Sequence, residues 1–141
     1  GCAVPPVRRP GGCGAGGGRT GNRLEGGGHG PVHGPELIPG RGGETVTLAE
    51  GRRESRMTAL SILATMRDEL GDLDRVERIV KVFGMVNVAP GFNQTPAVID
   101  GCSDLLVEVF GDAGRHTRSA VGLAELPFDI AVEIELVAEV S

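Results

Sequence analysis

The residues best suited to chemistry lie in the last third of the chain, where Arg115-His116-Thr117-Arg118-Ser119 leads through Leu126-Pro127 to Ile134-Glu135. Arg118 stands where a loop meets a strand. A guanidinium offers two parallel donors to a carboxylate, which fixes orientation as well as adding energy. Glu133, fifteen positions on in the returning strand, is a carboxylate that could position a water or shuttle a proton. Beside an arginine its charged form would be favoured. Together the pair suits a small acidic substrate. The plainer alternatives are a surface ion pair for Arg118 and a solvent-facing strand position for Glu133, as expected of Glu135 and Glu139.

Other candidates carry less. His116 invites a general-base reading because the imidazole side chain is the usual proton carrier near neutral pH, but it lies in a polar loop, where a histidine is more often simply exposed. His29 and His33 flank Gly30-Pro31 without a third ligand in view, so no metal site is expected. Gly28, in the glycine run before His29, suggests backbone amides near a ligand, although no dinucleotide fingerprint is present. Cys2, Cys13 and Cys102 have no metal-ligand spacing and leave an odd thiol under any pairing, which fits a reducing compartment. Cys102 falls on the inward face of a helix, and Asp112 with Arg115 suits a loop ion pair.

The elements that must position these groups come from two unlike halves. Sixteen of the 24 glycines and six of the nine prolines lie in residues 1–43, while all four phenylalanines lie at or beyond Phe83. A single domain is expected over residues 1–141, with its core built from about residue 44 onward. About a hundred residues bury a modest core, so help from a partner subunit is in keeping. A net charge of −5 argues against a nucleic-acid footprint. The run Arg52, Arg53, Arg56 is interrupted by Glu50 and Glu54 and suits a solvated helix face. No apolar run is long enough for a membrane span, and the N-terminal residues lack a secretion-signal pattern. The expected location is cytoplasmic.

Taken alone, residues 1–43 are expected to be a flexible tail, since the glycines of Gly11–Gly18 have no side chain to pack and lose the most entropy on ordering. From Glu44 the signals are clear. Thr47-Leu48-Ala49-Glu50 is a capping box, the stripe Ala59, Leu63, Met66 and Leu70 predicts a helix with Leu60 and Ile62 flanking, and Gly71 stops it. Val76–Val88 is a β-branched strand in which Val76, Val80, Val82, Val86 and Val88 share one parity. Thr95-Pro96 opens a second helix with Thr as its cap and an apolar face of Val98, Cys102, Leu105, Leu106 and Val109. A strand over Ser119–Glu125, a turn at Leu126–Asp129 and an alternating strand Ile130–Val140 follow. Helix, strand, helix, strand, strand is an α+β order, with two helices packed on one face of a mixed β-sheet. Three strands make a thin sheet for two long helices, and a hairpin from the glycine-rich region would balance it.

Asp104–Gly111, Gly114–Gly122, Leu126-Pro127 and Val132–Glu135 resemble the reactive intermediate deaminase family, the RidA or YjgF-like proteins. Phe83–Asn87 and Pro90-Gly91-Phe92 continue the match. A fainter similarity reaches Arg19–Asn22 and Gly28–Pro31. The resemblance covers residues 44–141 well. It implies a chorismate-mutase-like α+β domain, assembled as a homotrimer with ligand clefts between subunits. It further implies hydrolysis of reactive 2-imino acids to 2-oxo acids and ammonia, with no metal or organic cofactor. Older names in the family speak of an endoribonuclease or translation inhibitor.

Carried over residue by residue, Arg118 matches the family's carboxylate-binding arginine and Glu133 an acidic residue near the water-binding part of the cleft. Ala120 stands where many members have Cys, at a position whose backbone matters, and Gly28 lies in the matching second strand. Asp100 stands where relatives often have Asn, placing an extra negative charge near an anionic substrate. The family's first-strand aromatic falls near Gly14 and its second-strand Ser at Gly27, and that strand reads Arg23-Leu24-Glu25-Gly26. Three functions are therefore carried forward. The first is an imine deaminase working through Arg118. The second is a non-catalytic trimer that binds small carboxylates. The third is a nucleic-acid enzyme, against which the acidic charge and scarcity of aromatics count.

Overall fold

A computed structural model of the chain describes residues 16–20, 23–29 and 39–141, the first two stretches as backbone strands. Cys2, Cys13, Gly14 and His33 lie outside the described residues. The strands are β1 (Gly16–Thr20), β2 (Arg23–His29), β3 (Val76–Asn87), β4 (Thr117–Leu123) and β5 (Val132–Val140), and the helices are α1 (Leu48–Leu70) and α2 (Thr95–Phe110). They form one sheet in the order β1-β2-β5-β3-β4. β3 and β4 run parallel because α2 carries the chain between them, and the other pairs are antiparallel. The expected mixed sheet is therefore present, and the glycine-rich text supplies its fourth and fifth strands. With few side chains to pack, β1 and β2 are tied in by their ladder, Gly17 opposite Gly26 and Gly26 opposite Leu136.

α1 begins at the Thr47 capping box, in which the Thr47 side chain accepts from the Glu50 amide and the Glu50 carboxylate accepts from the Thr47 amide at 2.8 Å. It ends at Gly71, whose φ of 84° is open to glycine without strain. Ala59, Ile62, Leu63, Met66 and Leu70 meet Val98, Ile99, Cys102, Leu105 and Leu106 of α2 over the buried face of β5, which consists of Val132, Ile134, Leu136, Ala138 and Val140. Opposing charges flank the helix pair, with Arg52 bridging Asp104 and Arg56 bridging Glu108. The arginine run is thus a partnered surface seam rather than merely a solvated one.

Four local expectations change. Leu60 and Val109 are 43% and 44% exposed, while Ile99 is fully buried in their stead. In β3 the register shifts between Ile79 and Lys81, so Ile79 joins Val82 and Val86 in the core and Val80 turns away from it. Thr95 does not cap α2; Gln94 holds that position and makes no side-chain cap bond. β4 begins at Thr117, which places Arg118 inside a strand, and β5 begins at Val132 after an isolated bridge from Ile130 to Pro39. The sheet's other face carries a small cluster of Met85, Leu126 and Ile130, with Phe83 and Leu123 against it. Among the described residues, no helix is long and apolar enough to cross a membrane.

Candidate functional site

Close seating of α2 on the sheet sets up the polar cluster. A Cβ on Gly84 of β3 would collide with the Ile99 side chain, and one on Gly101 would run into the Arg52 carbonyl of α1. Glycine at both places lets α2 lie close to its neighbours. Thr95 then spends its hydroxyl on the Ala120 carbonyl of β4 at 3.0 Å, which clamps the start of the helix to the strand.

On this platform Asp100 and Ser103, three residues apart in α2, face Arg118 of β4. One guanidinium nitrogen, Nη1, donates to Asp100 Oδ1 at 2.8 Å and to Ser103 Oγ at 3.1 Å. The Arg118 and Asp100 side chains are 24% and 41% exposed, so the pair sits at the boundary between protein and water. Among the described residues, Nε, Nη2 and Asp100 Oδ2 make no hydrogen bond. Ser103 Oγ lies 3.0 Å from His116 Nε2, and His116 Nδ1 lies 2.6 Å from the Gly114 carbonyl oxygen. His116 is therefore partly buried and engaged on both nitrogens rather than a bare loop residue. Asp112 and Arg115, on the same loop, pair with each other at 3.1 Å. Behind the cluster, burial pushes the Cys102 thiol up to about 12, with the Arg118 charge acting the other way. Cys102 is a packing residue and not a thiolate.

Arg118, Asp100 and Ala120 are thus brought together. Glu133 and Gly28 stand elsewhere in the same chain. Arg118 pairs in register with Val82, which is buried under the helices, whereas Glu133 pairs with Met85 on the other face. No register shift separates Val82 from Met85, and an odd spacing along a strand reverses the face. The sheet therefore lies between the two side chains. Gly28 sits opposite Ile134 on β2, and His29 opposite Glu133. Two strands, β3 and β5, separate β2 from the edge strand β4. An open cleft of about 410 Å³ lined by Pro39, Gly40, Arg41, Glu44, Thr45 and Asp129 opens elsewhere, away from Arg118. Among the described residues, no group of three or more His, Cys, Asp or Glu is placed to hold a metal ion.

Ser103 was not singled out from the sequence. Its signal is the pairing of an i, i+3 polar couple on a helix, Asp100 with Ser103, and an i, i+2 couple at a strand start, His116 with Arg118. Only the parallel β3–β4 crossover brings these two couples together.

Residues 18–140 match the family described as "YjgF/chorismate_mutase-like, putative endoribonuclease". The chain belongs to the YjgF/RidA family. Protein TCP17 of Trypanosoma cruzi is 45% identical over 105 residues, a stretch covering 74% of this chain and 66% of that protein. A solved structure from Agrobacterium tumefaciens, Atu1372, whose function is given as unknown, is 36% identical with a TM-score of 0.85, covering 89% of this chain and 82% of that one. A Shewanella oneidensis structure with the same endoribonuclease designation as the family is 30% identical with a TM-score of 0.84, covering 99% and 89%. Family membership accounts for the shared scaffold, while the Asp100–Arg118 bridge is read from this chain's own side chains.

Proposed function

We propose that this family member hydrolyses small 2-imino acids to 2-oxo acids and ammonia in the cytoplasm, with Arg118 anchoring the substrate carboxylate. The observation that carries this reading is the state of the Arg118 guanidinium: Asp100 and Ser103 both bind Nη1. Its remaining N–H groups can take a carboxylate in charge-assisted hydrogen bonds. Imine hydrolysis asks little more of a protein than a held substrate, a placed water and groups that manage protons as the adduct forms and collapses.

We further propose a homotrimer with the site between subunits. Arg118 lies on the edge strand β4, and Glu133 and Gly28 lie across the sheet from it or two strands away. A site that uses all three therefore needs groups from two chains. In such a cleft Glu133 of one subunit orients the water above the imine held by Arg118 of the next, and the Gly28 backbone and the strand around Ala120 line the walls.

The test is decay of a 2-imino acid generated in situ, followed with and without the purified protein, with the oligomeric state measured by light scattering. Faster decay that is lost in Arg118→Ala is expected, and an Arg118→Ala protein with undiminished activity would sink the assignment. One observation favours a second reading, a non-catalytic carboxylate binder. Asp100 already partners the anchoring arginine at 2.8 Å and repels a second anion. Saturable binding of a 2-oxo acid without imine turnover would support that reading. An endoribonuclease function rests on the wording attached to the family and to relatives, and a net charge of −5 opposes it.

A further inference from the structure

We infer that Ser103 and His116 form a proton relay attached to the Arg118 anchor, an inference that rests on the imine-hydrolase reading and names its acid–base groups. The hydrogen bonds permit one proton arrangement for a neutral imidazole. The Gly114 carbonyl can only accept, so His116 Nδ1 carries the proton of that 2.6 Å contact. His116 Nε2 then holds a lone pair and accepts the Ser103 hydroxyl proton across 3.0 Å. Ser103 Oγ in turn accepts from Arg118 Nη1 at 3.1 Å. The result is a base whose tautomer is fixed, coupled through one hydroxyl to the arginine that holds the substrate.

Within a single chain this relay and the Asp100 carboxylate lie on Arg118's side of the sheet, whereas Glu133 lies on the opposite face. Ser103 is half-buried and bonded to Nη1 itself. A carboxylate on the remaining guanidinium N–H groups would sit on the same arginine that Ser103 binds, and the relay is reached from the imine carbon through intervening water. The charged groups around His116 are the Asp100–Arg118 pair from α2 and β4 and the Asp112–Arg115 pair of its own loop. On β3, Lys81 stands in register with Thr117. Each pair carries both signs, and the Lys81 ammonium lies 6.0 Å from the centre of the Phe83 ring, which packs on the other face of the sheet.

Water adds to the carbon of the protonated imine, forming a C–O bond while the C=N π electrons move onto nitrogen. The water's proton passes to Ser103 Oγ as the Ser103 proton moves to His116 Nε2, while the Nδ1 proton stays on Nδ1, donated to the Gly114 carbonyl. Return of the stored proton to the adduct nitrogen lets the C–N bond break with its electron pair leaving on ammonia. The adduct hydroxyl proton departs to that ammonia, so an iminium acid and water give a 2-oxo acid and ammonium.

The experiment measures kcat and KM for 2-imino acid hydrolysis against pH in the wild type, His116→Gln, Ser103→Ala and Ser103→Thr. Gln keeps an acceptor for Ser103 but cannot store a proton. Expected is a kcat loss on the order of 10²-fold or more in His116→Gln and Ser103→Ala with KM little changed. The imidazole-dependent acid limb of the profile should vanish in His116→Gln, and Ser103→Thr should restore activity. The double variant should fall no further than either single one. Matching circular dichroism spectra and melting curves separate this from misfolding. A His116→Gln protein that keeps both kcat and the acid limb overturns the relay alone. A wild type that turns over no imine overturns the relay together with the hydrolase reading.

Discussion

Asp100→Asn tests whether the bridge to Arg118 sets the affinity of the site. The variant keeps the size of the side chain and its acceptor oxygen and removes only the charge. A ligand carboxylate on the free nitrogens of Arg118 would sit about 6 Å from the Asp100 carboxylate, on the far side of a guanidinium that is 2.8 Å from Asp100 Oδ1. Coulomb's law gives about 3 kcal/mol of repulsion at an effective dielectric of ~20 and under 1 kcal/mol in bulk water. With the two side chains 24% and 41% exposed, solvent screening places the cost between these limits, at about 1–2 kcal/mol. Affinity for a 2-oxo acid such as 2-oxobutyrate should therefore rise roughly tenfold in Asp100→Asn. Titration calorimetry at low and moderate salt reads it, and the gain should shrink as salt is added. An α-amino acid, whose ammonium group offsets Asp100, should gain little. Weaker or unchanged 2-oxo acid binding by a folded Asp100→Asn protein would refute the reasoning, because Asp100 would then organise the anchor without opposing its ligand.

Four further outcomes follow from packing and ionisation. Gly101→Ala should cost about 3 kcal/mol or more by chemical denaturation. Its Cβ meets the Arg52 backbone rather than a movable side chain, and the adjacent bond from the Cys102 amide to Ser55 Oγ at 3.1 Å is lost if the helices part. Asn87→Val should raise the melting temperature by the equivalent of about 1–3 kcal/mol, since Asn87 is fully buried with both side-chain polar atoms unpaired among the described residues; a lower melting temperature would mean that those atoms find partners in solution. Burial raises the pKa of Glu54, so the folded state holds a proton that the unfolded state releases, and stability falls as pH rises through the carboxylate range. Glu54→Gln should remove that slope and add on the order of 1 kcal/mol at neutral pH, as read from melts across pH. With Cys2 and Cys13 changed to Ser, the Cys102 thiol, pushed up to about 12, should stay silent to a disulfide reagent at mildly alkaline pH until the chain unfolds.

Periodicity carried the architecture well because α1, α2 and β5 each bury a continuous apolar face, and such faces are visible one residue at a time. It failed where pairing between strands decides the outcome. The shift at Ile79–Lys81 exchanges Val80 for Ile79 in the core, and nothing local in Val76-Glu77-Arg78-Ile79-Val80 marks it. β1 and β2 were legible through the thinness of the sheet they complete and the faint family resemblance at Arg19–Asn22 and Gly28–Pro31, not through periodicity, since glycine carries no alternation. At the site, Arg118 stood out by type. Its partners did not, because Asp100, Ser103 and His116 belong to a helix and a loop that meet only when α2 crosses from β3 to β4. The expectation that Arg118 and Glu133 form one grip failed within a single chain for a geometric reason. Two residues of one sheet share a site only if their register places them on the same face, and Arg118 on β4 and Glu133 on β5, with β3 between them, fall on opposite faces.

That opposition of faces bears on what the arginine does before any ligand arrives. With Asp100 and Ser103 on one nitrogen, Arg118 ties the edge strand β4 to α2, adding to the Thr95–Ala120 bond on a strand whose sheet partner is β3. The same contacts hold the guanidinium plane in place, so a ligand finds its donors already oriented and little side-chain entropy remains to be lost. The cost is electrostatic, since the carboxylate that fixes the arginine also repels an anion. A neutral Ser103 in the same contact carries no such cost. The division of labour is therefore between Asp100, which lowers affinity while holding the anchor, and Ser103, which holds the same nitrogen and links it to His116.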